Sequence, residues 1–214
     1  MSSTQSFEPL HEMQHIQQLM ERSTRFTSLS GLSCIAAGVC ALIGGAIAYT
    51  LLGNYYGSDL TLWEYSNASF AELKRQLLVL AAIVFAVAAM SAFFFTWRKT
   101  RKQGLSMWEP SSKRVFWAML VPLVSGGVFV LGILHFDNWY LVAPACLVFY
   151  GLALVNAGKF TISDIRYLGY CQILLGLINI WWIGYGLYFW VLGFGVLHIV
   201  YGVKMYLKEK NNNQ

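Results

Sequence analysis

The chain has 214 residues, of which 57% are hydrophobic and only 12% charged, with a formal net charge of +5. Soluble domains carry about 25% charged residues, so this composition excludes a water-coated globule and points to the bilayer as solvent. The basic excess sits in segments flanking apolar runs, the positive-inside pattern of a membrane protein, and this argues against nucleic acid as a partner.

In chain order, Met1 to Glu8 is polar. From Pro9, the spacing of Leu10, Met13, Ile16, Leu19 and Met20 predicts an amphipathic helix within a cytoplasmic segment, 1–25. Such a helix lies on the inner leaflet or docks on a cytosolic protein. Glu8, Glu12 and Glu21 make this segment long and acidic, unlike the short basic start of a cleaved leader. A membrane domain is expected over 26–207, followed by a charged and Asn-rich tail, 208–214, that needs no structure.

Six apolar stretches predict six spans: Leu29 to Leu52, Leu77 to Trp97, Val115 to Leu134, Trp139 to Ala157, Tyr167 to Gly184 and Leu187 to Leu207. In the first, Ala37, Ala41 and Gly45, and Cys40, Gly44 and Ala48, form rows of small residues that let another helix approach, within one bundle or between the copies of a homo-oligomer. Gly53 to Gln76 reads as a polar and aromatic loop, with a sequon at Asn67-Ala68-Ser69. Between the second and third spans lies a basic connection holding Arg98, Lys99, Arg101, Lys102, Lys113 and Arg114. Pro122 is expected to kink the third span, and His135-Phe136-Asp137-Asn138 to form a tight turn. With this basic connection on the inside, thirteen Lys and Arg residues share its side and only Lys74 and Arg75 lie opposite. The expected fold is therefore an all-α membrane protein, a six-helix bundle with both termini cytoplasmic, placed in the inner membrane of a bacterium.

The second half looks repeated. Trp139 and Tyr150-Gly151 recur as Trp190 and Tyr201-Gly202 at an offset of 51, which predicts a parallel hairpin repeat. The entry to the first span, Ser23 to Ser33 (STRFTSLSGLS), resembles a signature of uncharacterised bacterial six-span membrane proteins, and the hairpins ending in Tyr-Gly are similar to those of the acid-resistance HdeD-type membrane proteins. The first resemblance implies a membrane family and attaches no activity to it.

The constellations that could carry chemistry are few. His11-Glu12-Met13-Gln14-His15 matches HExxH, in which His11 and His15 would share a helix face and clamp zinc while Glu12 polarises its water. The motif lies in a short segment before the first span, where Glu21 or Glu8 could be invoked as a third ligand but nothing builds a site around them, so it reads as the polar face of the amphipathic helix. No metal or other cofactor is expected. Cys34, Cys40, Cys146 and Cys171 lie inside apolar runs without metal or disulfide spacing. His198, Asn179, Gln172 and Asn156 fall within spans, and polar groups at that depth mark a ligand site or interhelical hydrogen bonds. Gly195, one turn before His198, is expected to let another helix come close. No span holds a charged residue clear of its ends, which argues against an ion-coupled transporter. The functional expectation is a non-enzymatic regulatory, sensing or scaffold protein acting through its cytoplasmic face. The alternative is a small channel or transporter for a neutral or weakly polar solute, with a site near His198 and Asn179.

Overall fold

A computed structural model describes residues 31–57, 67–102, 110–161 and 163–211. The amphipathic segment with Leu10, Met13, Ile16, Leu19 and Met20, the HExxH residues His11, Glu12 and His15, and the last three residues of the tail lie outside the described residues. What is described is all helical: α1 (Gly31–Gly57), α2 (Asn67–Lys102), α3 (Pro110–His135), a 3-10 turn (Trp139–Leu141), α4 (Val142–Ala157), α5 (Ser163–Trp181), α6 (Gly186–Trp190), a π-helical stretch (Val191–Leu197) and α7 (His198–Asn211). The last three run on without a break and act as one rod.

Among the described residues, five helical segments are long and apolar enough to cross a membrane: Gly31–Tyr55, Phe70–Lys102, Ser112–His135, Trp139–Ala157 and Gly186–Lys208. The fourth begins and ends where the sequence predicts. α5 is not among the five, because Asp164, Arg166, Gln172 and Asn179 dilute its apolar character. The most apolar window of α2 buries none of its residues, and Ile83, Phe85, Met90 and Phe93 are all more than half exposed. An apolar rod bare on so many sides is stable only where lipid replaces water.

The helix ends follow local chemistry. α2 ends in Lys99, Arg101 and Lys102, cations that complement the negative pole of the helix dipole. α3 starts at Pro110, whose missing N–H costs nothing at the first helical position. It stops before Asp137, which adopts a left-handed φ of 57°, inside the turn expected there. α5 opens with Asp164 in its first turn. Three expectations need correction. The stretch from Gly53 to Gln76 is not all loop, since α1 continues to Gly57 and α2 already starts at Asn67, with the sequon in its first turn. The six cations of the basic connection are also helical: Arg98, Lys99, Arg101 and Lys102 belong to α2, and Lys113 and Arg114 to α3. The last helix reaches Asn211, four residues beyond Leu207.

The starts of α1, α3 and α5 and the ends of α2, α4 and α7 share one end of the bundle. Ser33 Oγ lies 3.2 Å from Thr96 Oγ1, Val115 packs on Ala157, and Leu154, Ile165, Leu168 and Met205 form a core against which Cys34 and Met119 pack. Most of the basic residues gather here, and it is called the basic end below. Asp164, only 6% exposed, is held by Lys208 at 3.1 Å and Lys204 at 3.6 Å. Asp164→Asn should lower stability by about 1 kcal/mol, since both lysines remain largely solvated; thermal unfolding of the purified chain in detergent measures this.

Close packing comes from glycine. A Cβ at Gly151 would stand 2.7 Å from Gly169 O and Ile173 Cγ1; one at Gly169 would stand 2.8 Å from Gly151 O; one at Gly176 would stand 2.9 Å from Pro144 O. The seam between α7 and α1 repeats this pattern. A Cβ at Gly202 would stand 2.9 Å from Gly31 O and 2.8 Å from Ile35 Cγ1, one at Gly31 2.6 Å from Gly202 O, and one at Gly38 2.8 Å from Gly195 O. Pro144, Val148, Gly151 and Val155 thus correspond to Gly195, Ile199, Gly202 and Tyr206, each at the offset of 51 seen in the sequence. Gly169, Ile173 and Gly176 correspond likewise to Gly31, Ile35 and Gly38. Three hairpins, α1–α2, α3–α4 and α5 with the last rod, are joined by two glycine seams built alike. The third junction, α2 against α3, has no such seam. α2 contains no glycine to form one.

Candidate functional site

Of the four intramembrane polar residues named from the sequence, two meet. Gln172 on α5 and His198 at the start of α7 both reach the carbonyl of Gly193, in the π-helical stretch, with Gln172 Nε2 at 2.8 Å and His198 Nδ1 at 3.0 Å from Gly193 O. A carbonyl oxygen only accepts, so His198 Nδ1 carries the proton and Nε2 is left as an acceptor. Tyr150 OH, 2.9 Å away on α4, donates to that Nε2. Gln172 Nε2 is 3.4 Å from His198 Nδ1, but both are donors and the contact is not a bond. The result is one ordered chain, Tyr150 to His198 to Gly193 O, with Gln172 as second donor. It ties α4, α5 and the last rod together. π-helical turns widen the ring and recur at functional positions.

The fit around this chain is tight. Gln172 is fully buried and His198 is 3% exposed. Gln172 Oε1 has no hydrogen-bond partner and lies where a Cβ on Gly193 would come within 2.5 Å. The amide cannot turn over, because that would aim Oε1 at Gly193 O. Aromatic rings back the histidine: Phe194 stacks on it at 5.9 Å and Tyr150 lies 5.4 Å away. Gly195 admits α1, with Leu42 Cδ2 at 2.5 Å from where its Cβ would stand.

The other two polar residues stand apart and serve helix packing. Asn156 Nδ2 donates to Ala118 O at 2.8 Å, fastening α4 to α3, and Asn179 Nδ2 reaches Trp182 O at 3.3 Å beyond the end of α5. Asn179 Oδ1 is buried without a partner. Tyr201, the repeat counterpart of Tyr150, lies 3.7 Å from Cys171 Sγ on α5. Among the described residues, no group of three His, Cys, Asp or Glu side chains could hold a metal ion.

Beside this chain lies a cavity of about 1030 Å³, at the α2–α3 junction that lacks a glycine seam. Pockets for small molecules run from about 300 to 1,000 Å³, so this one is large. Its walls come from Ala37 on α1, Ala92 and Phe93 on α2, Phe116 and Met119 on α3, and Leu154 on α4. Tyr150 and His198 also line it, and Arg101, Ser112 and Lys113 line it at the basic end. From Tyr150 to Ala157 one wall extends seven residues of α4, or about 10 Å at 1.5 Å per residue. At the far end the same two helices are tied. Lys74 of α2 pairs with Asp137 in the turn after α3, and the Phe70 and Trp139 rings meet edge-on at 5.7 Å. The junction is thus fastened at one end and parted toward the other.

Tyr150, Gly193 and the cavity were not among the candidates from sequence. Tyr150 carried a signal, but only as a marker of the repeat. A backbone carbonyl and a gap between helices carry none. Compared with known proteins, the chain matches no family model, no curated protein and no solved structure.

Proposed function

We propose that this chain is a six-span membrane protein, both termini cytoplasmic, which binds an apolar ligand between α2 and α3 and passes its occupancy to a partner at the basic face without catalysing a reaction. The observation that carries the reading is the cavity of about 1030 Å³ that joins the basic end to Tyr150 and His198. A ligand there touches both walls of the junction without a glycine seam, and bears directly on the hydrogen-bonded chain that ties three helices. A sixth span, α5, is supported by its packing: it lies between α4 and the last rod, and its polar residues turn to protein partners and not to lipid. The charge split supports a cytoplasmic position for the basic end. A channel or transporter has less support, because Asn179 does not line the cavity and the far end of the junction is tied.

The test is ligand-dependent stability. A ligand at one hundred times its Kd stabilises the folded chain by about 2.7 kcal/mol. The full chain in detergent should show a raised Tm with single-chain amphiphiles. Ala92→Trp, which fills the cavity from the α2 wall, should remove the rise while leaving the ligand-free Tm close to that of the parent. A rise that persists in Ala92→Trp would place binding elsewhere and overturn the reading.

A further inference from the structure

The chemistry of the lining narrows the ligand, and this step rests on the reading just given. The described lining holds two cationic side chains, Arg101 and Lys113, and no acidic one. Both are exposed and stand on opposite walls, one at the end of α2 and the other at the start of α3. Among the described residues, Asp164 is engaged by Lys204 and Lys208 and does not line the cavity. Away from this mouth the walls are aromatic and aliphatic. The shape is an apolar slot with a positive rim.

We infer that the cavity takes an anionic amphiphile with a single apolar chain, its carboxylate between Arg101 and Lys113 and its chain running toward Tyr150 and His198. The α2 wall runs from Ala92 to Arg101, nine residues or about 14 Å, close to the half-thickness of a bilayer core, about 15 Å, so the slot suits a medium chain. A headgroup between the two cations bridges α2 and α3 where no glycine seam does so. Arg101 also stacks over the Trp97 ring, with 5.4 Å from guanidinium carbon to ring centroid, which places it beside the rim.

The experiment titrates the full chain in a non-ionic detergent with laurate, with dodecanol and with dodecyltrimethylammonium. Laurate should bind about tenfold or more tightly than dodecanol, the gain expected of a paired charge at a partly screened rim, and the cation should bind more weakly than either. Arg101→Gln and Lys113→Gln should each reduce the laurate preference and together abolish it, while dodecanol affinity stays within about twofold. Equal affinity of the parent chain for laurate and dodecanol overturns the anionic assignment, and so does a preference that survives the double change. If dodecanol binding is still lost in Ala92→Trp, the cavity reading stands without it. Binding of neither laurate nor dodecanol, or binding unaffected by Ala92→Trp, overturns both.

Discussion

Gly151→Ala should lower the unfolding free energy by about 2–3 kcal/mol, and Gly202→Ala by a similar amount, whereas Gly132→Ala should raise it by about 0.5–1 kcal/mol. All three are helical glycines, so propensity alone predicts the same small gain for each. Surroundings set the sign. The added methyl at Gly151 meets backbone, Gly169 O at 2.7 Å and Ile173 N at 2.9 Å. At Gly202 it meets Gly31 O at 2.9 Å and Ile35 N at 2.8 Å, while at Gly132 nothing lies within 4 Å. Backbone cannot rotate aside, so at the first two sites the helices must part. In a bilayer, lipid tails are as apolar as leucine, so no hydrophobic gain makes up for the close packing that parted helices give up. Matched losses at Gly151 and Gly202 would also show that the two seams are equivalent units. Unfolding of the three variants in a mixed-micelle denaturation series makes the comparison.

Gln172→Glu should cost more than about 3 kcal/mol, and Gln172→Met less than about 1.5 kcal/mol. Glutamate keeps the size, but ionised it aims an oxygen at Gly193 O in a fully buried site, and neutralised it forfeits the free energy of protonating a carboxyl at pH 7, about 3.7 kcal/mol. Methionine also forfeits the bond to Gly193 O, but it removes the orphaned Oε1, and His198 Nδ1 still satisfies that carbonyl. The two substitutions are close in volume and differ in whether they leave a polar atom stranded. Similar losses for both would mean that a stranded polar atom at this position costs nothing. Thermal unfolding of both variants, monitored by far-ultraviolet circular dichroism, reads the difference.

The membrane character and the helix positions were legible because apolar runs of span length have few other uses. The fourth span was read to the residue. Boundaries failed between the first two spans, where Gly53 and the aromatic cluster after it suggested a loop. Gly53 has open space around it and is simply carried within α1. His198 and Gln172 were legible as polar groups too deep to be idle, but their shared partner was not, since the carbonyl of Gly193 has no side chain to announce it. Asn156 and Asn179 looked the same in sequence, but Asn156 fastens α4 to α3 and Asn179 binds the turn after α5. The repeat was visible at Trp139, Tyr150 and Gly151. Its other half, Gly169, Ile173 and Gly176 against Gly31, Ile35 and Gly38, stayed hidden because the matching helix comes first in the chain. The cavity could not be read, because a gap between two helices leaves no mark in either sequence.

Ligand binding requires access to the space between α2 and α3, and Cys34, which lines that space, reports on it. With Cys40, Cys146 and Cys171 replaced by alanine, the labelling rate of Cys34 by a small uncharged thiol reagent should fall at least about tenfold when laurate is bound or when Ala92 is changed to Trp. A Cys34 that labels at the same rate in all three states would contradict a ligand site between these helices.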